Sequence, residues 1–208
     1  MPRLSRAPVA VLVTVLVLTG ACGGGAGPSG APATSAAAST DDPSPSAAAT
    51  RPSYHAADLD LCERTDLKPL ADMSLTVTGT DPRPPAGRVG SACLFEMRTA
   101  DGYPASLRVE ASTLPTAEEA ERLYRGTQQA TGMTPEGPVA GLAEEAEAFS
   151  KRSEPGFKYA EYMVHARTGN LVTKVWLAVG GDSYPSTETL ATKVIAILKA
   201  VQAAVPTA

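Results

Sequence analysis

Two stretches of strict alternation restrict what this chain can fold into. In the first, Cys93, Phe95 and Met97 alternate with Glu96 and Arg98, and Ala105, Leu107, Val109 and Ala111 alternate with Ser106, Arg108 and Glu110. Such alternation places every second side chain on one face of a sheet. A slip of one residue would turn the whole apolar set toward water. Both apolar sets fall at odd positions, so they face the core together only across a loop with an odd number of residues. Ala100-Asp101-Gly102 meets that condition, with Gly102 in the left-handed position. The predicted pairs are Phe95 with Leu107 and Cys93 with Val109. In the second stretch, Ala160, Tyr162, Val164 and Ala166 fall at even positions, and Thr173, Val175, Leu177 and Val179 at odd ones. Even facing odd requires a two-residue turn, which Gly169-Asn170 supplies. Val164 then pairs with Val175, and Tyr162 with Leu177.

A helical pattern follows each hairpin. Thr116-Ala117-Glu118-Glu119 is a capping box that opens a helix to about Ala130, with Ala120, Leu123, Tyr124 and Thr127 along one stripe. Ser186 is placed to cap a final helix in which Leu190, Val194, Ile197, Val201 and Val205 recur at helical spacing. Ahead of the first hairpin, Thr65 is expected to cap a short helix to about Met73. Pro69 falls near its first turn, and Leu67 and Leu70 share a face. Leu75 to Thr78 reads as a short strand, and the proline-rich Thr80 to Gly90 as a loop. Between the halves, Pro138 to Ala146 reads as a linking segment and Ala146 to Ser150 as a short strand. The repeated order predicts a single α+β domain over residues 56–208. Its antiparallel sheet is expected to be built from two strand–hairpin–helix repeats with helices packed on it, preceded by a short N-terminal helix.

The N-terminal quarter obeys other rules. Arg3 and Arg6 precede the apolar run Val9 to Leu18, and Gly20-Ala21 supplies small residues before Cys22. This is the layout of a secretory signal over residues 1–21, too short to span a bilayer as a permanent helix. Leu18-Thr19-Gly20-Ala21-Cys22 resembles the lipobox of bacterial lipoproteins, with Thr19 where Leu is commonest. The resemblance implies cleavage before Cys22 and acylation of its sulfur with palmitate-type chains. An anchor of two or three acyl chains holds stably. Ordinary secretion with an unmodified Cys22 is the alternative. Residues 22–55 then read as a disordered tether. From Gly23 to about Ser53 they are Gly, Ala, Pro, Ser and Thr, with too little large apolar surface to offset ordering entropy. The same composition suits O-glycosylation.

With 208 residues and 43% apolar content, the chain holds one ordinary core plus a tail. The formal charge is −4, and removing Arg3 and Arg6 with the signal makes it −6. No basic stripe is present to meet phosphate, which argues against a nucleic-acid partner. Of the three cysteines, Cys22 is taken by lipid. Cys62 and Cys93 remain as an even pair in an oxidising compartment, where a disulfide is expected and two free buried thiols are the alternative.

Four features together resemble a family of actinobacterial secreted lipoproteins of unknown function. They are the lipobox with its Ser/Pro/Ala tether, Cys62 before a Leu-containing short helix, Cys93 opening a hairpin, and the segment Gly141-Leu142-Ala143-Glu144-Glu145-Ala146. Members usually show Cys-x-Trp at the second cysteine, where this chain has Cys93-Leu94-Phe95. They also show Gly-Leu-Gly-Asp-Glu-Ala, where this chain has Ala143 and Glu144. The resemblance covers about Asp58 to the C-terminus. It implies a cysteine-linked α+β domain in the cell envelope and no particular activity.

Residues for catalysis are sparse. His55 and His165 are the only histidines, and neither has a second ligand at metal spacing. There is no Gly-x-Ser-x-Gly, no Cys–His pair and no phosphate loop. No catalytic residue, metal or cofactor is therefore expected. Glu144, Glu145 and Glu147 read as a solvated face rather than as paired acids for hydrolysis. The second hairpin has a more suggestive outer face, because its register pairs Met163 with Trp176, His165 with Lys174, and Arg167 with Val172. Trp176 is the sole tryptophan. Met163, His165, Arg167, Lys174 and Trp176 form the candidate binding surface, unless helices cover it and Trp176 is core. The expected function is a non-enzymatic envelope module, lipid-anchored on the outer side of the cell membrane, that binds a small ligand or an envelope protein. An extracytoplasmic sensor or accessory subunit of a membrane complex is the alternative, and an envelope hydrolase a distant one.

Overall fold

The computed structural model describes residues 52–207. Cys22, the signal over 1–21 and nearly all of the tether lie outside the described residues. The described part belongs to one compact unit, Ala47–Ala208.

The fold is α+β, with a seven-stranded antiparallel sheet and helices on both of its faces. In chain order the elements are α1 (Leu61–Arg64), a 3-10 turn (Lys68–Met73), β1 (Thr76–Arg83), β2 (Val89–Arg98), β3 (Pro104–Thr113) and α2 (Ala117–Ala130). Then come β4 (Thr134–Pro138), β5 (Glu145–Ser153), β6 (Lys158–Thr168), β7 (Leu171–Gly181) and α3 (Thr187–Ala204). Across the sheet the strands run β1-β2-β3-β7-β6-β5-β4.

Both hairpins have the register that side-chain parity demands. Phe95 lies opposite Leu107 and Cys93 opposite Val109. Val164 lies opposite Val175, Tyr162 opposite Leu177, and Met163 opposite Trp176. The first hairpin closes through Ala100-Asp101-Gly102, where Gly102 has φ +83, a value that side chains with a Cβ rarely adopt. One face of the sheet, the inner face, carries the main core. There Leu107, Val164, Val175 and Leu177 pack with Leu190, Val194 and Ile197 of α3, all buried. Ser186 caps α3 by accepting from the Thr189 amide at 3.0 Å, and Thr116 caps α2 by accepting from Glu119 at 3.2 Å.

Four expectations are corrected. The first helix is capped by Asp60, whose carboxylate accepts from the amides of Cys62 and Glu63. Thr65 ends that helix instead, and Lys68–Met73 is a separate 3-10 turn. The stretch read as a loop from Thr80 contains the second half of β1, which runs to Arg83, and the first residues of β2. The linking segment begins in β4, which ends at Pro138. β1 and β4 are the two edges of the sheet, where a proline has no ladder hydrogen bond to break on its open side.

Cys62 and Cys93 form a disulfide, with Cα atoms 5.1 Å apart. It fastens α1 to β2 on the inner face. Ordered pairing begins at Tyr54, within the stretch assigned to the tether. Tyr54 bridges to Thr207, and the His55 amide donates to the Pro206 carbonyl at 2.9 Å.

Asn170 clamps this N-terminal segment. Its Oδ1 accepts from the Tyr54 amide at 2.8 Å, and its Nδ2 donates to the carbonyls of Tyr54 (3.1 Å) and Leu114 (3.0 Å). Asn170→Ala should lower stability by about 2 kcal/mol, since one partly buried side chain makes three bonds. Hydrogen exchange at the Tyr54 amide should accelerate more than at the β6 and β7 amides. Equal acceleration everywhere would mean that the clamp is not local.

Candidate functional site

The outer face of the sheet is divided in two. α2 lies across the half nearest the Gly169-Asn170 turn, where Ala120 and Tyr124 pack on Val172. The Tyr124 ring sits 4.8 Å from the His165 imidazole, centroid to centroid. Gln128 hydrogen-bonds Glu147, and Arg125 reaches Glu145 at 3.1 Å. Among the described residues, no helix lies on the other half of the face.

This division separates the five residues expected to form a surface. Met163 and His165 are 2% and 1% exposed, so neither presents itself to a ligand. Arg167 is held by Glu144 at 2.9 Å and by Glu145 at 2.7 Å. The Glu144-Glu145 segment therefore has a structural task, to pin the end of β6. Lys174 points into a buried triad. Glu110, itself 3% exposed, accepts from Lys174 and from Arg108 at 3.1 Å each, and takes the Ala86 amide as a third donor. Burial pushes the Glu110 carboxyl up, but Lys174, the Ala86 N–H and Arg108 outweigh it and hold it below the usual carboxylate range. Burial, aided by Lys174, pushes the His165 imidazole down to about 4 against the opposing pull of Glu110, so it is neutral near pH 7. Of the five, only Trp176 keeps part of its side chain in the open region.

Trp176 forms one wall of a shallow pocket of about 350 Å³, with Leu94, Arg108, Tyr159 and Glu161 around it and Ser106 and Ala178 as its floor. Pairing explains the layout. Ala178 lies between Ser106 of β3 and Glu161 of β6, while Trp176 lies between Arg108 and Met163. A row of small side chains is thus bounded on one side by the Trp176 row. On the other side stands Tyr159 of β6, paired with Gly180 of β7. Glycine at position 180 leaves room for Phe157, since a Cβ there would come within 2.9 Å of the Phe157 ring and of the Pro104 carbonyl. Phe157 meets Tyr159 edge-on at 5.9 Å. Two of the lining residues carry a nitrogen, Trp176 Nε1 and Arg108 Nε, that is buried without a hydrogen-bond partner in the protein.

Two other hollows are already satisfied from within. The crevice between α2 and β5 is rich in acid, but Glu145 and Glu147 are bound to Arg125, Arg167 and Gln128. At the Phe157 end, Lys158 pairs with Glu154, and the Tyr103 hydroxyl with Asp182. Among the described residues, no group of three or more His, Cys, Asp or Glu side chains is placed to hold a metal ion, and no helix is long and apolar enough to cross a membrane. Sequence reasoning reached Trp176 but missed Arg108, Tyr159 and Glu161. For Arg108 the signal lay in the pairing of β3 with β7, which alternation alone does not reveal, whereas Tyr159 and Glu161 share the outer face of β6 with Met163.

No family model matches the chain, and no curated protein or solved structure matches it.

Proposed function

We propose that this chain is a lipid-anchored extracytoplasmic module that binds a ligand or an envelope partner through the open half of its outer sheet face and performs no catalysis. The observation that carries the reading is the Trp176 pocket, lined by Trp176 and Tyr159 together with Arg108 and Glu161, where Trp176 and Arg108 each hold a buried N–H donor that lacks an acceptor. A native protein rarely leaves such groups unpaired, and an external acceptor is one way to satisfy them. The apolar run before Cys22 and the Cys62–Cys93 bridge support placement outside the cytoplasm, in keeping with the resemblance to actinobacterial lipoproteins. The domain is further proposed to derive from duplication of a strand–hairpin–helix unit. The mirrored order of β1-β2-β3 and β5-β6-β7 about the β3/β7 junction supports this, whereas α2 and α3 lie on opposite faces.

Two measurements test the proposal. Cys22→Ala should move most of the protein out of the membrane fraction or leave its signal uncleaved; full retention with normal processing refutes the anchor. For binding, envelope extract should be separated into protein, polysaccharide and small-molecule pools. At least one pool should shift the emission of Trp176, the single tryptophan, in the full-length protein. Silence from all three refutes a ligand at this face.

A further inference from the structure

We propose that the Trp176 pocket is a subsite for an uncharged saccharide ring. This rests on the binding reading above and narrows it to a chemical class.

Glu161 stands at one edge of the pocket, on an acidic chain, and repels anionic ligands. The Arg108 guanidinium stands at another edge and repels cations. It shares Glu110 with Lys174, so two cations meet one carboxylate there and the local balance does not favour a third. A neutral ligand is the class that meets neither repulsion. Shape then favours a ring with one apolar side. Trp176 and Tyr159 give the pocket aromatic walls, and Ser106 and Ala178 keep the floor low between them. Tyrosine and tryptophan offer large apolar area with a polar tip and little side-chain entropy to lose. A volume of about 350 Å³ lies at the small end of ligand pockets and suits one or two sugar rings rather than a folded partner or a lipid chain. Hydrogen bonding completes the match. Trp176 Nε1 and Arg108 Nε are donors without acceptors, while the Glu161 carboxylate is an acceptor. Sugar hydroxyls both donate and accept, so a single ring can serve both kinds of group. Small side-chain shifts would bring the two covered donors into reach.

The test uses the full-length protein and follows Trp176 emission and binding heat. Mannotriose, galactotriose and cellotriose are the neutral probes, and trimers of glucuronic acid and of glucosamine are the charged controls. At least one neutral trisaccharide should bind with a Kd below ~10 mM, an affinity fitting so small a contact. Both charged trimers should bind at least about tenfold more weakly. Calorimetry on Trp176→Ala and Tyr159→Ala should show a loss of about tenfold or more. Glu161→Ala, a change at the pocket edge, gives the same reading if either aromatic variant fails to fold. Three results overturn the saccharide assignment: no neutral sugar binds, the acidic trimer binds equally well, or binding survives all three substitutions. If neutral sugars fail but an envelope pool still shifts Trp176, the face binds a different class and the broader reading stands. If neither acts, both are wrong.

Discussion

Replacing Cys62 and Cys93 together with serine should remove roughly 3.5 kcal/mol of stability, as expected for a closed loop of about 30 residues. The two cysteines are 31 positions apart, and their bridge joins a four-residue helix to the centre of β2. A helix that short has no stability of its own. Its place depends on the bridge, on buried Leu61 and on the bond from the Leu61 amide to the Ser91 hydroxyl. Urea unfolding of the oxidised wild type against the double variant should show a lower midpoint at an equal or steeper slope, because the unbridged unfolded chain is the less compact one. Hydrogen exchange should show the stretch from Ala56 to Met73 opening first. A domain of this size has about 5–15 kcal/mol in total, so the loss would be conspicuous. An unchanged midpoint would show that packing alone holds α1 in place.

Acidification should destabilise the domain well above the ordinary carboxylate range, and His165 is the reason. Its folded pKa of about 4 lies below the usual 6.5. Between those values the unfolded chain takes up a proton that the folded chain refuses. The contribution is therefore complete above about pH 6.5 and declines as pH falls toward 4. From about pH 7.5 to about pH 4.5 the loss should be on the order of 2–3 kcal/mol. The groups around the imidazole are Tyr124 on α2, Lys174 on β7, Glu147 on β5 and Glu110 on β3. Glu110, held below its usual range, adds loss of the same sign at lower pH. Urea midpoints across this window, compared with those of His165→Gln, isolate the histidine. A variant that retains the full slope above about pH 5 would assign the acid sensitivity elsewhere.

Parity made the centre of the sheet legible. A hairpin loop must have an odd or an even number of residues to bring two apolar sets together, so Phe95–Leu107 and Val164–Val175 followed from counting. The edges escaped because they carry the marks of loops. Pro82 sits in β1, Pro135 and Pro138 sit in β4, and each edge has a register shift beside a glycine, Gly79 or Gly137. Prolines and bulges discourage further strand pairing at an open edge, so the traits that protect these strands also disguise them. The binding surface was half legible for a different reason. The register put Met163, His165, Arg167, Lys174 and Trp176 on one face, but only tertiary packing decides that α2 covers part of it. Tyr124 was visible as part of an apolar stripe. That the stripe would rest on Val172 and His165 depends on β7 joining β3, a long-range pairing that no local pattern encodes.

The clamp at Asn170 fixes where mechanical load would enter the domain. Tension applied at Pro52 meets first the Tyr54 and His55 bonds to Asn170 and Pro206, then the covalent link from α1 into β2. Those bonds lie at Asn170 and at Pro206, whereas Trp176 lies six residues beyond Asn170 along β7. That distance is roughly 20 Å at strand spacing. Drag on the N-terminal segment is thus borne by the rim and the disulfide, and the aromatic pocket sits off the line of force.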